Sequence, residues 1–245
     1  MFSSNYFMSY KNRGASKQLT GDVIVIVFYV NDASSKWTEQ AKTAYMKAHN
    51  TAMNRVMNDA KKKNVFLNIR TASCELDVTY DCNNSNCYQW ISDAISVYRK
   101  KSINEYQDYY ENKYECDEAP IIFAHNRRAR SFASVASRFN PHLDESSIVF
   151  KETSTTFSDF TIEHELMHQF GAMDFYYPND VKAYAQKYLP GSIMNDGYKI
   201  DPLTEYLIGW TASIDNNAYN FLSATNHYTK EQIYDAMRKE WKRDW

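Results

Sequence analysis

Apolar and amphipathic segments alternate along the first half of the chain. The longest apolar run, VIVIVFYV at Val23–Val30, is rich in β-branched residues and predicts a buried strand. Apolar residues then recur at helical spacing from about 36 to 62, which predicts a long amphipathic helix. The run VFLNIRT at 65–71 predicts another strand. This strand–helix–strand order predicts a parallel pair of strands joined by a right-handed crossover.

Later segments continue the alternation. Strands are predicted at 76–80, 120–124 and 146–152, and a second long helix at about 88–112. The segment HNRRARSFASVASRF at 125–139 mixes basic and small residues. We interpret it as a solvated loop, because runs of charge usually lie in solvent.

The C-terminal third carries fewer strand signals. It closes with a capping box, Thr229 and Gln232, which opens a final helix. No internal repeat, low-complexity segment or linker interrupts the chain. The sequence therefore predicts a single α/β (α+β) domain over 1–245 with a mixed twisted sheet. We expect an N-terminal subdomain over 1–171 and a smaller, helix-rich C-terminal subdomain over 172–245.

Composition and charge narrow the class of protein. Apolar residues make up 44% of the chain and charged residues 24%, which is a globular balance. The net charge of −2 favours neither a nucleic-acid partner nor a polybasic membrane anchor. The longest apolar run is too short to cross a bilayer, so no membrane span is expected. We expect a monomer.

The leader region and the cysteines bear on location. The first twenty residues lack the apolar core of a signal peptide, so either the protein stays inside the cell or a leader has been removed. Because the first strand is predicted to begin near residue 22, we expect no pro-domain within this chain. Cys74, Cys82, Cys87 and Cys116 fit no common zinc spacing and predict one or two disulfides of open connectivity. Disulfides favour a secreted or extracellular protein, whereas free thiols would favour a cytosolic one.

The motif HELMHQFGAMD at 164–174 concentrates the candidate chemistry. His164 and His168 stand four residues apart, so a helix presents both on one face, as two ligands of one metal require. Glu165 follows the first histidine and can reach a water on that metal. Zinc lowers the pKa of a bound water towards ~7, so this carboxylate is the expected general base.

Two residues beyond the histidines complete the candidate site. Gly171 suits an abrupt helix end, because glycine accepts a left-handed backbone. The reversed chain would bring Asp174 back to the metal as a third ligand, leaving one position open as a catalytic zinc requires. Glu205 on a later helix is the competing third ligand, and the spacing of Gly171 favours Asp174.

The pattern HExxHxxGxxD resembles the signature of the metzincin zinc endopeptidases. Most metzincins carry histidine at the last position, whereas the small bacterial snapalysins carry aspartate, as Asp174 does here. The continuation GAMDFYYP is also similar to bacterial proteases of the immune-inhibitor-A type. Downstream, GSIMND at 191–196 offers Met194 for the methionine-containing turn of that family. The match is close over about 160–200.

This resemblance implies a metzincin-like zincin fold and a zinc-dependent endopeptidase acting on a peptide or protein substrate. Zinc would be held by the two histidines and Asp174, with Glu165 as general base and then acid and Met194 supporting the site. The tyrosine that often lies two residues after the methionine is absent, because Asp196 stands there. Tyr198, two residues further on, is a candidate substitute as transition-state stabiliser.

The resemblance also implies that substrate lies extended along an edge strand above the motif helix, as in strand addition. The small residues of SFASVAS at 131–137 suit a close approach of a peptide backbone. SSIVFKE at 146–152 competes for the same role.

Other interpretations remain open at this point. The scaffold could be a catalytically inactive module that binds a glycan or protein through its tyrosine-rich surface, or an intracellular toxin protease with the same chemistry. The histidine pair could be an ordinary helical pair, and Met194 could be plain core. The remaining histidines lack partners at metal spacing and are interpreted as structural or exposed: His49, His125, His142 and His227.

Overall fold

Five strands of the described residues form one mixed sheet. The computed structural model describes residues 5–82, 102–134 and 146–241, together with Phe2 and a few residues between 89 and 96. The strands are β1 (Gly21–Asn31), β2 (Leu67–Asp77), β3 (Ile121–Arg128), β4 (Phe132–Ser134) and β5 (Ser146–Lys151). Their order across the sheet is β2-β1-β3-β5-β4. All neighbours run parallel except β4, which pairs antiparallel with β5 at one edge.

Helices cover both faces of this sheet and fill the C-terminal third. They are α1 (Glu39–Lys62), α2 (Ile103–Tyr114), α3 (Asp159–Gln169), α4 (Asn179–Tyr188), α5 (Pro202–Leu207), α6 (Asn216–Thr225) and α7 (Lys230–Trp241). The structure confirms a mixed α/β class and a helix-rich C-terminal third. It also confirms the capping box of α7, in which Thr229 and Gln232 exchange hydrogen bonds of 2.8 and 3.2 Å.

The central strand β1 is buried on both faces, as its apolar run predicts. Its side chains alternate between two cores, because successive residues of a strand point to opposite faces. Val25 and Val27 pack with α1, α3 and the C-terminal helices, whereas Ile26 and Phe28 pack with α2. The sheet therefore separates a large core, which carries the motif helix α3, from a smaller one.

The predicted parallel pair is confirmed, and the ladder is longer than expected. β1 and β2 stay in register from Gly21 opposite Leu67 to Asn31 opposite Asp77. The predicted separate strand at 76–80 is therefore wrong, because Leu76 and Asp77 end β2 itself. Pairing with the long strand β1 extends β2 beyond the point at which the strand pattern of its own sequence is interrupted.

The prediction of one continuous helix over 88–112 is also wrong. The described residues at 89, 91–93 and 96 are helical, but Ser102 is extended, with φ −150° and ψ 162°. Its side chain accepts a hydrogen bond of 3.1 Å from the Glu105 N–H and so caps a new helix, α2. The remaining residues of the predicted helix before 102 lie outside the described residues.

The predicted loop over 125–139 is wrong where the structure describes it. β3 continues to Arg128, and β4 occupies Phe132–Ser134. A charged residue is accommodated in β3 because the Arg127 guanidinium lies 3.6 Å from Asp32 and 5.3 Å from the ring centre of Phe150. These partners are distant in sequence. Residues 135–145 lie outside the described residues.

An ion-pair network fixes α3 against α1. Arg55 of α1 lies 2.8 Å from Asp159 and 2.5 Å from Glu163, both in α3. Burial raises the pKa of Glu163 to about 7, although the charge and hydrogen bond of Arg55 oppose the shift. Because a buried charge without its partner is costly, this contact constrains the position of α3.

The N-terminal segment packs under the turn that follows α3. Phe7 is fully buried, with its ring centre 5.5 Å from that of Phe175 and 5.1 Å from that of Phe221. The Tyr10 carbonyl faces Gly171, where an added Cβ would lie 2.6 Å from the carbonyl oxygen. Gly171 has φ +90°, so the left-handed helix end expected from the sequence is confirmed.

The described cysteines do not settle the disulfide prediction. Cys74, Cys82 and Cys116 form no disulfide with one another, and Cys87 lies outside the described residues. The expectation of one or two disulfides therefore stays a prediction.

Among the residues described, no helix combines the length and apolarity needed to cross a membrane.

Replacing Gly171 with alanine is expected to destabilise the protein more than replacing Gly191. Both glycines have positive φ, 90° and 76°, so each substitution strains the backbone by about 1–2 kcal/mol. Only at Gly171 would the new methyl group also collide with backbone, because the nearest atom at Gly191 is a Lys199 side-chain carbon 3.6 Å away. Denaturant unfolding of both variants measures the difference. Equal losses of unfolding free energy would contradict the proposed packing of Tyr10 on this turn.

Candidate metal centre

The motif helix places His164 and His168 side by side. α3 is capped by Ser158, whose side chain accepts a hydrogen bond of 3.1 Å from the Thr161 N–H. One turn later the two imidazoles lie on the same face, with their Nε2 atoms 3.1 Å apart. The predicted one-sided presentation of the pair is therefore confirmed.

The turn after α3 returns Asp174 to the same point. Hydrogen bonds from the N–H groups of Gly171 and Ala172 to the carbonyls of His168 and Met167 close the helix end, at 3.0 and 3.2 Å. Asp174 Oδ1 then lies 3.1 Å from His164 Nε2 and 3.4 Å from His168 Nε2. One potential ligand atom from each of the three residues lies within 4.8 Å of the others.

Backbone carbonyls fix the orientation of both imidazole rings. His164 Nδ1 lies 2.7 Å from the Ile193 carbonyl oxygen, and His168 Nδ1 lies 2.7 Å from that of Ala172. Because a carbonyl only accepts hydrogen bonds, each Nδ1 must carry the proton. Each ring therefore turns its Nε2 towards the shared point, where the neutral form offers a lone pair, which is the arrangement of metal-binding histidines.

The electrostatics at the point where His164, His168 and Asp174 meet favour a cation. Burial lowers the pKa of His164, but the hydrogen bond and charge of Asp174 outweigh it and raise the pKa to about 9. Burial raises the pKa of Asp174, but the two histidines outweigh it and hold the pKa well below its usual range. Two imidazole nitrogens and one carboxylate are also a donor set that zinc prefers. The residues present therefore fit a zinc ion.

Glu165 lies beside this donor set with an unsatisfied oxygen. Its side chain is 5% exposed, and its Oε2 has no hydrogen-bond partner among the described residues. Burial raises the pKa of Glu165, while the charges of His164 and His168 lower it. A buried carboxylate oxygen without a partner is costly unless a ligand, water or proton satisfies it.

The segment around Met194 supports the donor set through its backbone. Met194 is fully buried, and its carbonyl accepts a hydrogen bond of 2.8 Å from the N–H of Phe175, next to Asp174. The carbonyl of Ile193 holds the His164 ring, as described above. Ser192 anchors the turn by accepting from the Met194 N–H at 3.1 Å and donating to Asp201 at 2.6 Å. Met194 therefore lies in the turn that holds the two candidate ligands His164 and Asp174.

Tyr198 and Glu205 lie outside the group formed by His164, His168 and Asp174. Tyr198 is 64% exposed, and its ring packs on Phe160 with 4.3 Å between ring centres. Glu205 forms an ion pair of 2.7 Å with Lys63 at the end of α1. The structure groups Asp174 rather than Glu205 with the histidines.

Tyr176 is a site residue that the sequence did not single out. Its ring stacks on the His164 ring, with 6.0 Å between centres and 28° between planes. Burial raises its pKa, and the charges of Asp174 and Glu165 raise it further. The side chain is half-buried, so it is not sealed from solvent. The sequence feature that could have identified Tyr176 is its position two residues after Asp174, because alternate residues of an extended segment lie on the same side.

The other described histidines have the structural or exposed roles expected of them. His49 is buried and bonds to Thr71 at 2.9 Å, and burial lowers its pKa to about 4. His125 is buried and stacks on Phe150, and burial lowers its pKa to about 3. His227 is exposed beside Tyr228. His142 lies outside the described residues.

Comparison with known proteins identifies no family. No family model matches the sequence, and no curated protein matches it. A solved structure titled "Structure of a chaperone-substrate complex" aligns with a TM-score of 0.38 and 11% identity over 88% of this chain. The aligned part spans 35% of that chain. This similarity is too low to carry a conclusion about fold or function.

Replacing Asp174 with asparagine is expected to weaken zinc binding by more than about 100-fold, because it removes a charged ligand rather than an outer-shell partner. Replacing Glu205 with glutamine, a matched loss of one carboxylate, is expected to leave zinc affinity unchanged. Competition with a chromogenic chelator measures both affinities. The opposite ranking would show that Glu205 is the third ligand.

Proposed function

We propose that this protein is a zinc-dependent endopeptidase of metzincin type. The observation that carries the proposal is the convergence of His164, His168 and Asp174 on one point. Beside it lies Glu165, whose Oε2 has no hydrogen-bond partner among the described residues. The three ligands leave room for a further position on the metal, which a catalytic zinc requires and a closed structural site lacks.

One edge of the mixed sheet suits the binding of an extended peptide. β4 lies at the edge of the sheet, antiparallel to β5, and contacts the motif helix α3. β5 is buried, pairs with β3 on one side and pairs with β4 over Ser146–Ile148 on the other, so β4 rather than SSIVFKE is the outer strand there. The segment beginning at Ser131 therefore remains as the strand on which an extended peptide would be added.

Glu165 is proposed to move the proton in peptide hydrolysis. When bound, zinc supplies Lewis acidity that polarises the substrate carbonyl and acidifies a water. Glu165 accepts the proton of the attacking water and then passes it to the nitrogen of the leaving amine. Its buried position beside both proposed ligand histidines suits this role, because it places a carboxylate next to the point at which the metal and its water would be held.

Tyr176 is proposed to stabilise the charge that develops on the substrate oxygen. Its ring lies against a ligand histidine, close enough for the charges of Asp174 and Glu165 to act on its hydroxyl. A tyrosine that remains protonated donates a hydrogen bond to an oxyanion. Tyr198, exposed against Phe160, is therefore replaced by Tyr176 in this role.

Replacing Glu165 with glutamine is expected to retain zinc and to lower kcat by at least about 100-fold, because the shape of the site is kept and the base is lost. The exposed Glu39, changed to glutamine, is the matched control and should keep full activity. Metal analysis and cleavage of a peptide library, with and without chelator, provide the readouts. Full activity in the Glu165 variant would exclude this mechanism. A zinc-loaded wild type that cleaves nothing would favour an inactive binding module.

Replacing Tyr176 with phenylalanine is expected to lower kcat by about 100-fold with little change in zinc affinity, because it removes one donor to the oxyanion. Replacing Tyr198 in the same way should leave kcat within about twofold. Steady-state kinetics on one peptide substrate compares the two. A greater loss in the Tyr198 variant would return the stabilising role to that residue.

A further inference from the structure

A basic cleft opens beside the motif helix. It has a volume of about 510 Å³ and is lined by residues of β3, β5 and α3, among them Arg128, Lys151 and Thr161. The buried ring of Phe150 also contributes to its wall. None of these residues belongs to the donor set or to the proton transfer described above.

The cleft adjoins the catalytic residues. Thr161 precedes His164 by three residues and Glu165 by four, so it lies on the same face of α3, about one turn away. One turn is about 5.4 Å along the axis, which an extended peptide covers in about two residues. A side chain in the cleft would therefore belong to a residue close to the cleaved bond.

Two cationic residues at paired strand positions line this cleft. Arg128 of β3 and Lys151 of β5 are register partners on neighbouring parallel strands. Within the described part of the chain, neither side chain forms an ion pair. Like charges on directly opposed positions of a sheet repel each other, so the arrangement favours an anion between them. Glu152 lines the same cleft and offsets only one of the two charges.

Arg130 extends the positive field towards the catalytic residues. It lies between β3 and β4, and its charge lowers the pKa of both Glu165 and Tyr176, against the larger effect of burial. The neighbouring Arg127 is directed to Asp32 instead. The sequence of the basic run at 127–130 predicts a solvated loop. In the structure, Arg127 instead makes a structural contact with Asp32, and Arg128 lines the cleft.

We propose that this cleft binds a carboxylate of the peptide substrate and makes the protease selective for it. The inference rests on the proposed peptidase function and specifies its substrate class. The carboxylate comes either from an aspartate or glutamate side chain about two residues from the cleaved bond or from the peptide C-terminus. Arg128 and Lys151 supply charge-assisted hydrogen bonds, which are stronger than neutral ones.

The test measures binding on the zinc-loaded Glu165→Gln variant, so that it does not depend on turnover. Peptide pairs differ only by glutamate or glutamine at each position within three residues of a chosen bond, and each is made with a free and an amidated C-terminus. We expect roughly tenfold tighter binding of the glutamate member at one position, or of the free acid over the amide. The first result identifies a side-chain carboxylate and the second a terminal one.

The preference should fall to near unity when Arg128→Gln and Lys151→Gln are added. The matched control Lys61→Gln, an exposed lysine of α1 outside the cleft, should retain it. Equal binding of all pairs, or a preference that survives loss of both cations, would overturn the inference. Failure of the wild type to cleave any peptide would instead contradict the proposed function, because the binding preference is measured separately.

Discussion

The structure around the motif depends on one constraint, the convergence of three lone-pair donors on a single point. His164 Nε2, His168 Nε2 and Asp174 Oδ1 lie 3.1–3.4 Å from one another. Because backbone carbonyls hold the proton on each Nδ1, the imidazoles cannot relieve this crowding by changing tautomer. A cation among the three atoms turns a repulsive arrangement into a favourable one, which is why we interpret the group as a metal centre.

Much of the surrounding fold maintains that convergence. Gly171 allows the chain to reverse, and the Tyr10 backbone packs where any other residue would carry a side chain. The Met194 turn holds the chain on either side, through its own carbonyl and that of Ile193. Arg55 fixes the motif helix from the opposite side. The N-terminal segment and the C-terminal third thus share one core with α3.

The donor set could be predicted from sequence because its geometry is local. The spacing of His164 and His168, and the glycine before Asp174, specify a helix face and a reversal that short-range rules describe. The surroundings depend on contacts between distant segments. Tyr176 is distinguished from Tyr198 only by the path of the chain after the turn. The strand character of Arg127 depends on Asp32 and Phe150, which no local pattern around it reveals.

Anomalous diffraction at the zinc absorption edge, on crystals of the zinc-loaded protein, would locate the metal directly. We expect one strong peak at about 2.0–2.2 Å from the Nε2 atoms of His164 and His168 and from a carboxylate oxygen of Asp174. We also expect Glu165 to lie nearby without being a ligand. Zinc bound elsewhere, or held by Glu205 in place of Asp174, would contradict the proposed metal centre.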